Sequence, residues 1–158
     1  MTTPTELAAD LTAARDAFQR ELARIDPGSL TTPGLVDEWS GRELLAHVGY
    51  WAGHATELIH AVETGRIQDS VADEPPTDEI NATVARIARE TPMATVARRE
   101  AASVEALLER LRVMDPSLLD QRLPDGATLE QGVREDGPDH YREHAEALRA
   151  ALEGGARG

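Results

Sequence analysis

Apolar residues recur along most of the chain at alternating steps of three and four, which is the spacing of an amphipathic helix. The first stretch predicts a helix from Pro4 to Asp26. Thr3 can serve as its N-cap, with Glu6 completing a capping box. Pro27 then ends the helix. The inner stripe of this helix is predicted to comprise Leu7, Leu11, Ala14, Phe18, Leu22 and Ile25.

A second capping box, Ser40 followed by Glu43, predicts the start of another helix. Gly65 is predicted to end this helix. A long connection from Gly28 to Trp39 separates the two helices. Beyond the second helix, the segment from Asp69 to Pro76 is acidic and contains proline, so it is predicted to be a surface loop. The apolar stripe of the second helix is Leu44, Val48, Trp51, Ala55, Leu58 and Val62.

Proline divides the next helical pattern. A shorter helix is predicted from Thr77 to Thr91. Pro92 either kinks this helix or, with Thr91 as the cap, starts a new one, and we favour the new start. This third main helix should extend from Pro92 to Met114.

The last helix is predicted to follow a connection from Pro116 to Ala127 that contains little more than a short turn. Thr128 can cap the helix. Gly137 and Pro138 fall inside it, so we expect a kink there, followed by an uninterrupted stretch to about Glu153.

These elements predict an all-α, up-and-down four-helix bundle, because no segment alternates strictly between apolar and polar residues as a half-buried strand does. The 158 residues are enough for one domain, so residues 1–158 are expected to form a single bundle whose last few residues are disordered.

Charge and cysteine content narrow the range of functions. A formal net charge of -13 disfavours binding to nucleic acid and to anionic membranes. The sequence has no cysteine, so any thiol chemistry must use a thiol from outside the protein. No signal peptide or membrane span is recognisable, which predicts a cytoplasmic protein.

Two histidines in the last helix indicate a metal site. His140 and His144 are one helical turn apart and share an arc with the apolar residues Val133, Leu148 and Ala151. Imidazoles at this spacing can bind the same ion, as in the HxxxH motif of metalloproteases. The metalloprotease motif has a glutamate directly after its first histidine. In HYREH that position is a tyrosine, so a protease is not expected. The alternative is that each histidine is an ordinary core or boundary residue.

A third histidine on the second helix, His47, lies at the flank of the apolar stripe and should also point inward. Three imidazoles would leave a coordination position free for water or substrate, as catalytic sites do. His54 lies two turns further on the same flank and is predicted to be a polar boundary residue. His60 falls on the opposite, exposed face.

Four further residues are candidates for supporting roles. Asp136 is one turn before His140 and could accept its second ring N–H, although it could equally lie on a solvated face. Trp51 is a candidate for the pocket wall or for the core, and Trp39 is expected to pack at the entry to the second helix. Tyr141 could reach the interior rim, without a catalytic role.

Two motifs also resemble a known family. The strings DEWSGRELLAHVGYW, from Asp37 to Trp51, and EDGPDHYREHAEALR, from Glu135 to Arg149, resemble those of DinB-like proteins, including the N-terminal domain of mycothiol-dependent maleylpyruvate isomerases. The resemblance implies a bundle that binds a divalent ion, commonly zinc or nickel. By this resemblance the ligands are His47, His140 and His144.

The resemblance further implies thiol chemistry. The first hypothesis is an enzyme of detoxification that joins a metal-activated thiol such as mycothiol to an electrophilic small molecule. A second is a metal-dependent hydrolase or self-resistance protein acting on a reactive natural product, and a third is a non-catalytic metal-binding module. Whether the chain forms a homodimer is left open.

Overall fold

The helical periodicity of the sequence is realised as seven α-helices in the computed structural model, which describes residues 1–155. The helices are α1 (Pro4–Leu22), α2 (Gly41–Glu63), α3 (Ile67–Ala72), α4 (Thr77–Arg89), α5 (Met93–Val113), α6 (Leu129–Arg134) and α7 (His140–Gly155). The four principal helices of the all-α bundle are α1, α2, α5 and the last helical segment, which contains α6 and α7.

Three of the four predicted N-caps are confirmed. The hydroxyl groups of Thr3, Ser40 and Thr128 each accept a hydrogen bond from a backbone N–H in the first helical turn. In each case a Glu or Gln side chain completes a capping box, so these starts are fixed by local chemistry.

The bundle is a ring of four helical segments. Helix α1 packs against α5 and α7, and α2 packs against the same two helices. Consequently α1 and α2 lie diagonally across the core, and the long connection between them crosses one end of the bundle. The centre of the core is aliphatic except for Phe18 and Tyr141, whose rings meet edge to face at 5.6 Å.

The segment from Asp69 to Pro76 is not entirely a loop, contrary to the prediction. Its first half belongs to α3, which begins at Ile67. Ile67 is buried in the main core, and this contact explains why the acidic segment becomes helical. The remainder, up to Pro76, connects to α4.

Thr91 does not cap α5, contrary to the prediction. Its hydroxyl donates a hydrogen bond of 2.7 Å to the carbonyl oxygen of Ile87 in α4, and Pro92 is the N-cap residue of α5. Helix α1 also ends at Leu22, four residues before the predicted Asp26, and a 3-10 turn follows at Pro27–Ser29. A second 3-10 turn, Pro116–Asp120, occupies the connection after α5.

The predicted kink in the last helix is a π-helical turn, Glu135–Asp139, between α6 and α7. Pro138 lacks an N–H and its ring would clash with a carbonyl in a regular α-turn, so the backbone widens there.

Among the residues described, no helix combines the length and apolar character that crossing a bilayer requires. The predicted disorder of the last few residues concerns mainly positions 156–158, which lie outside the described residues.

Candidate metal centre

Three histidines from two helices meet at one point. His47 comes from α2, and His140 and His144 come from the first turns of α7. One nitrogen from each ring lies within 4.8 Å of the other two, and the Nε2 atoms of His47 and His140 are 2.8 Å apart. The structure therefore brings together all three predicted ligands.

Packing in the bundle explains this convergence. His47 is 5% exposed and lies against the ring of Trp39, with 4.7 Å between ring centroids. The rings of His140 and His144 stack on one another at 4.8 Å, as the one-turn spacing of HxxxH allows. His47 meets both rings edge to face, at 4.7 and 4.8 Å.

The environment keeps these imidazoles neutral. Burial, together with repulsion from His140 and His144, lowers the pKa of His47 from 6.5 to about 3. Burial and the proximity of His144 lower the pKa of His140 to about 4, and burial also lowers the pKa of His144. At neutral pH all three rings therefore have a lone pair available for a cation.

The donor set fits a divalent transition metal. Imidazole nitrogens suit zinc and nickel, and ligands of a tetrahedral zinc ion with bonds of about 2.0 to 2.1 Å lie roughly 3.3 Å apart. The 2.8 Å between the Nε2 atoms of His47 and His140 is shorter than this value, and all three nitrogens lie within 4.8 Å of one another, so small ring movements would accommodate an ion. Nδ1 of His47 is buried and has no hydrogen-bond partner among the described residues, so packing rather than a hydrogen bond orients this ring.

A cavity of about 830 Å³ opens onto the cluster. Trp51 lies in its wall, 7% exposed, and its Nε1 donates a hydrogen bond of 2.9 Å to Oδ1 of Asn81 in α4. The Trp51 and His140 rings stack with centroids 6.2 Å apart. Trp39 lines the cavity as well as packing before α2, so both tryptophans help to exclude water from the histidines.

Asp136 contacts a different histidine from the predicted one. Its Oδ2 lies 2.5 Å from Nδ1 of His54, and no hydrogen bond joins it to His140 among the described residues. Asp136 lies within the π-helical turn that precedes α7, which explains why regular helical spacing failed to place it.

His54 was predicted to be a boundary residue, but it lines the cavity beside the cluster. Its Nε2 is 2.5 Å from Oε1 of Glu74 in the connection after α3. Burial opposes protonation of His54, but Asp136 and Glu74 outweigh it and raise its pKa. Burial also raises the pKa of Asp136, against the effect of His54. The spacing of His47 and His54, seven residues on one helical flank, was the signal that could have identified His54.

The other aromatic and histidine candidates lie away from this centre. Tyr141 does not reach the cavity rim: it is fully buried and donates a hydrogen bond of 2.6 Å to Glu100, which also pairs with Arg15. His60 is exposed, as predicted.

The chain shares its fold with proteins of known structure. No curated protein sequence gives a significant match. Two solved structures share the fold: the mycothiol-dependent maleylpyruvate isomerase, with a TM-score of 0.73 and 19% identity, and a histidine-to-alanine mutant of a mycothiol-dependent maleylpyruvate isomerase, with a TM-score of 0.72 and 18% identity. Each comparison covers 94% of this chain and 63% of the other, so the chain spans less than two thirds of these relatives.

The sequence itself matches a family model. Residues 11–135 match the model described as the mycothiol maleylpyruvate isomerase N-terminal domain. This match covers most of the chain and extends from α1 to the start of the π-helical turn. The chain therefore belongs to the family of the mycothiol maleylpyruvate isomerase N-terminal domain, a DinB-like family of helical bundles.

Proposed function

We propose that this protein is a metal-dependent transferase that joins a low-molecular-weight thiol of the mycothiol type to an electrophilic small molecule, in a role such as detoxification. The observation that carries the proposal is the convergence of His47, His140 and His144 at the base of a cavity large enough for small molecules. The family and the names of the structural relatives support mycothiol as the thiol.

The three histidines would hold the ion, which we propose to be zinc or nickel. Bound by three neutral ligands, such an ion lowers the pKa of a thiol or water that it binds and so supplies a nucleophile near neutral pH. The protein contributes the orientation of the three rings through core packing. Trp39 and Trp51, which line the cavity, would limit the access of bulk water to a thiol held there.

His54 is suited to supply a proton. Both of its nitrogens face carboxylate oxygens, Asp136 on one side and Glu74 on the other, so the ring is stabilised as an imidazolium. Glu74 is exposed, whereas Asp136 is more buried and holds Nδ1. We propose that the proton on Nε2 passes to the product after the thiol has added to the electrophile.

The test is conjugation of thiols to electrophiles by zinc-loaded or nickel-loaded protein. We expect conjugation of mycothiol to reactive model electrophiles, loss of at least about a hundredfold in the His144→Ala variant, and unchanged activity in His60→Ala as the matched control. If no thiol is conjugated to any electrophile, the transferase proposal is wrong. Incorporation of oxygen from labelled water into a product without any thiol would instead indicate a hydrolase.

A further inference from the structure

We propose that the cavity selects molecules that are cationic or uncharged and excludes those that carry carboxylate, sulfonate or phosphate groups. The inference rests on the proposed function, since it names the class of substrate that reaches the three histidines. It sets this chain apart from an enzyme for maleylpyruvate, the compound in the names of the structural relatives, because that compound is a dicarboxylate.

The charge of the lining residues carries this inference. Seven carboxylates line the cavity, and no arginine in the described part of the chain does so. Lysine is absent from the whole sequence. The seven carboxylates are Asp37, Glu38, Glu74, Asp125, Glu135, Asp136 and Glu143.

Most of these carboxylates are not neutralised by a neighbour. Glu74 and Asp136 pair with His54. The other five form no salt bridge with any arginine or histidine within residues 1–155, and all five are exposed to solvent at the cavity rim.

Two of these carboxylates have an arginine beside them in the sequence, but its guanidinium group points away from the cavity. Arg134 precedes Glu135, and Arg142 precedes Glu143, yet both guanidinium groups bind Asp10 on α1. Helical geometry explains the separation, because successive residues of a helix point about 100° apart. The last helical segment thus turns Arg134 and Arg142 toward α1, and Glu135 and Glu143 toward the cavity.

A bound divalent ion and a protonated His54 would together bring three positive charges, against seven negative ones. Charges of one sign around a concave site reinforce each other, because the low-dielectric walls concentrate their field. A molecule with an anionic group would therefore be repelled at the rim, and a cation would be attracted.

The aromatic wall complements this charge. Trp39 and Trp51 both line the cavity, and the hydrogen bond to Asn81 fixes the orientation of the Trp51 indole. Indole faces attract ammonium groups when little water intervenes. The cavity therefore offers a cation both carboxylates at the rim and two indole rings in its wall.

The experiment compares three probes that share a benzyl group: benzyltrimethylammonium, benzyl alcohol and phenylmethanesulfonate. Their affinities for zinc-loaded protein are measured by calorimetry or NMR titration at low ionic strength, which does not depend on turnover. We expect the ammonium probe to bind at least about tenfold more tightly than the sulfonate. Because salt screens exposed charges, the difference should shrink at high ionic strength.

A charge-matched pair of variants tests the residues. The cavity variant Asp37→Asn, Asp125→Asn, Glu143→Gln should lower the affinity for the ammonium probe by about three- to tenfold. The control variant Glu105→Gln, Glu146→Gln, Glu153→Gln removes the same charge from exposed positions outside the cavity and should leave that affinity unchanged.

Three results would overturn the inference: equal or tighter binding of the sulfonate, no binding of the ammonium probe, or equal affinities in the two variants. The proposed function is tested separately. A protein that shows the charge preference but conjugates no thiol would refute the transferase and leave the selectivity standing. A protein that conjugates thiols but prefers the anionic probe would refute the charge selectivity and leave the transferase proposal standing.

Discussion

The three histidines of the candidate metal centre differ in how firmly the surrounding residues hold them. His47 is buried and fixed by the ring of Trp39, whereas His140 and His144 are half-buried and face the cavity. The rings of the two histidines of α7 can therefore shift to accommodate an ion, whereas packing fixes the position of the His47 ring.

Removing one of these ligands should weaken metal binding. We expect His140→Ala to lower zinc affinity by at least about a hundredfold, because two imidazoles would remain where three are needed. Zinc titration against a competing chelator measures the change. His60→Ala, on the exposed face of α2, is the matched control and should bind as the wild type does; a similar loss in both variants would contradict the three-histidine centre.

The low pKa values of the cluster predict a pH-dependent stability of the metal-free protein. In the unfolded chain an imidazole titrates near pH 6.5, but folding lowers the pKa of His47 to about 3 and that of His140 to about 4. Below pH 6.5 the unfolded state therefore binds more protons, and stability falls as the pH falls through this window.

Urea unfolding of chelator-treated protein between about pH 8 and pH 5 measures this effect. The His47→Asn variant should lose less stability over this range than the wild type, since it lacks one group that resists protonation when folded. His60→Asn should follow the wild type. Equal pH dependence of His47→Asn and the wild type would show that His47 titrates normally.

Between elements, α2 and α5 approach each other closely at Gly49. A Cβ added there would lie 3.0 Å from both Cα and Cβ of Glu100, whose carboxylate pairs with Arg15 and Tyr141. Glycine is therefore required by the distance between the helices.

The Gly49→Ala variant should lower the free energy of unfolding by about 1 to 3 kcal/mol, because α2 and α5 must separate or the Glu100 network must shift. Gly53→Ala is the matched control on the same helix: its Cβ would meet only Ser103 Oγ at 3.6 Å. Since alanine favours helices, the control should be neutral or more stable by up to about 1 kcal/mol. Urea unfolding measures the free energy of unfolding of both variants. Equal changes in the two variants would contradict a tight contact at Gly49.

Sequence patterns predict elements well where the signal is local. The two predicted capping boxes, the Thr128 cap and the HxxxH pair depend on spacings of three and four residues, and each was found as predicted. Predictions that depended on neighbours in space were less successful. Helix α3 forms because Ile67 reaches the core, and Asp136 meets His54 because the π-helical turn changes the register. Neither cause is visible in residue spacing.

For the whole molecule, a metal bound by α2 and α7 would link two of the four segments of the bundle. Ligand binding to the folded state alone raises stability by about 2.7 kcal/mol when the free ion is at 100 times its Kd. For a domain of this size we expect the Tm to rise by roughly 5 to 10 °C on adding zinc.

Differential scanning calorimetry with and without chelator measures this shift. The His144→Ala variant provides the control, since it should show little change in Tm on adding zinc. A wild-type Tm that does not respond to zinc or nickel would argue against a metal that joins these helices.

Residues from helices and residues from the connections between helices both line the cavity. The histidines stand on α2 and α7, whose other faces form the core, but Asp37, Glu38, Glu74 and Asp125 belong to the connections between helices. Substitutions in the connections can therefore change which molecules enter without disturbing the residues that would hold the ion. In evolution, a bundle built in this way can change its substrate through mutations in the connections alone. The same connections are the first targets for engineering a new specificity.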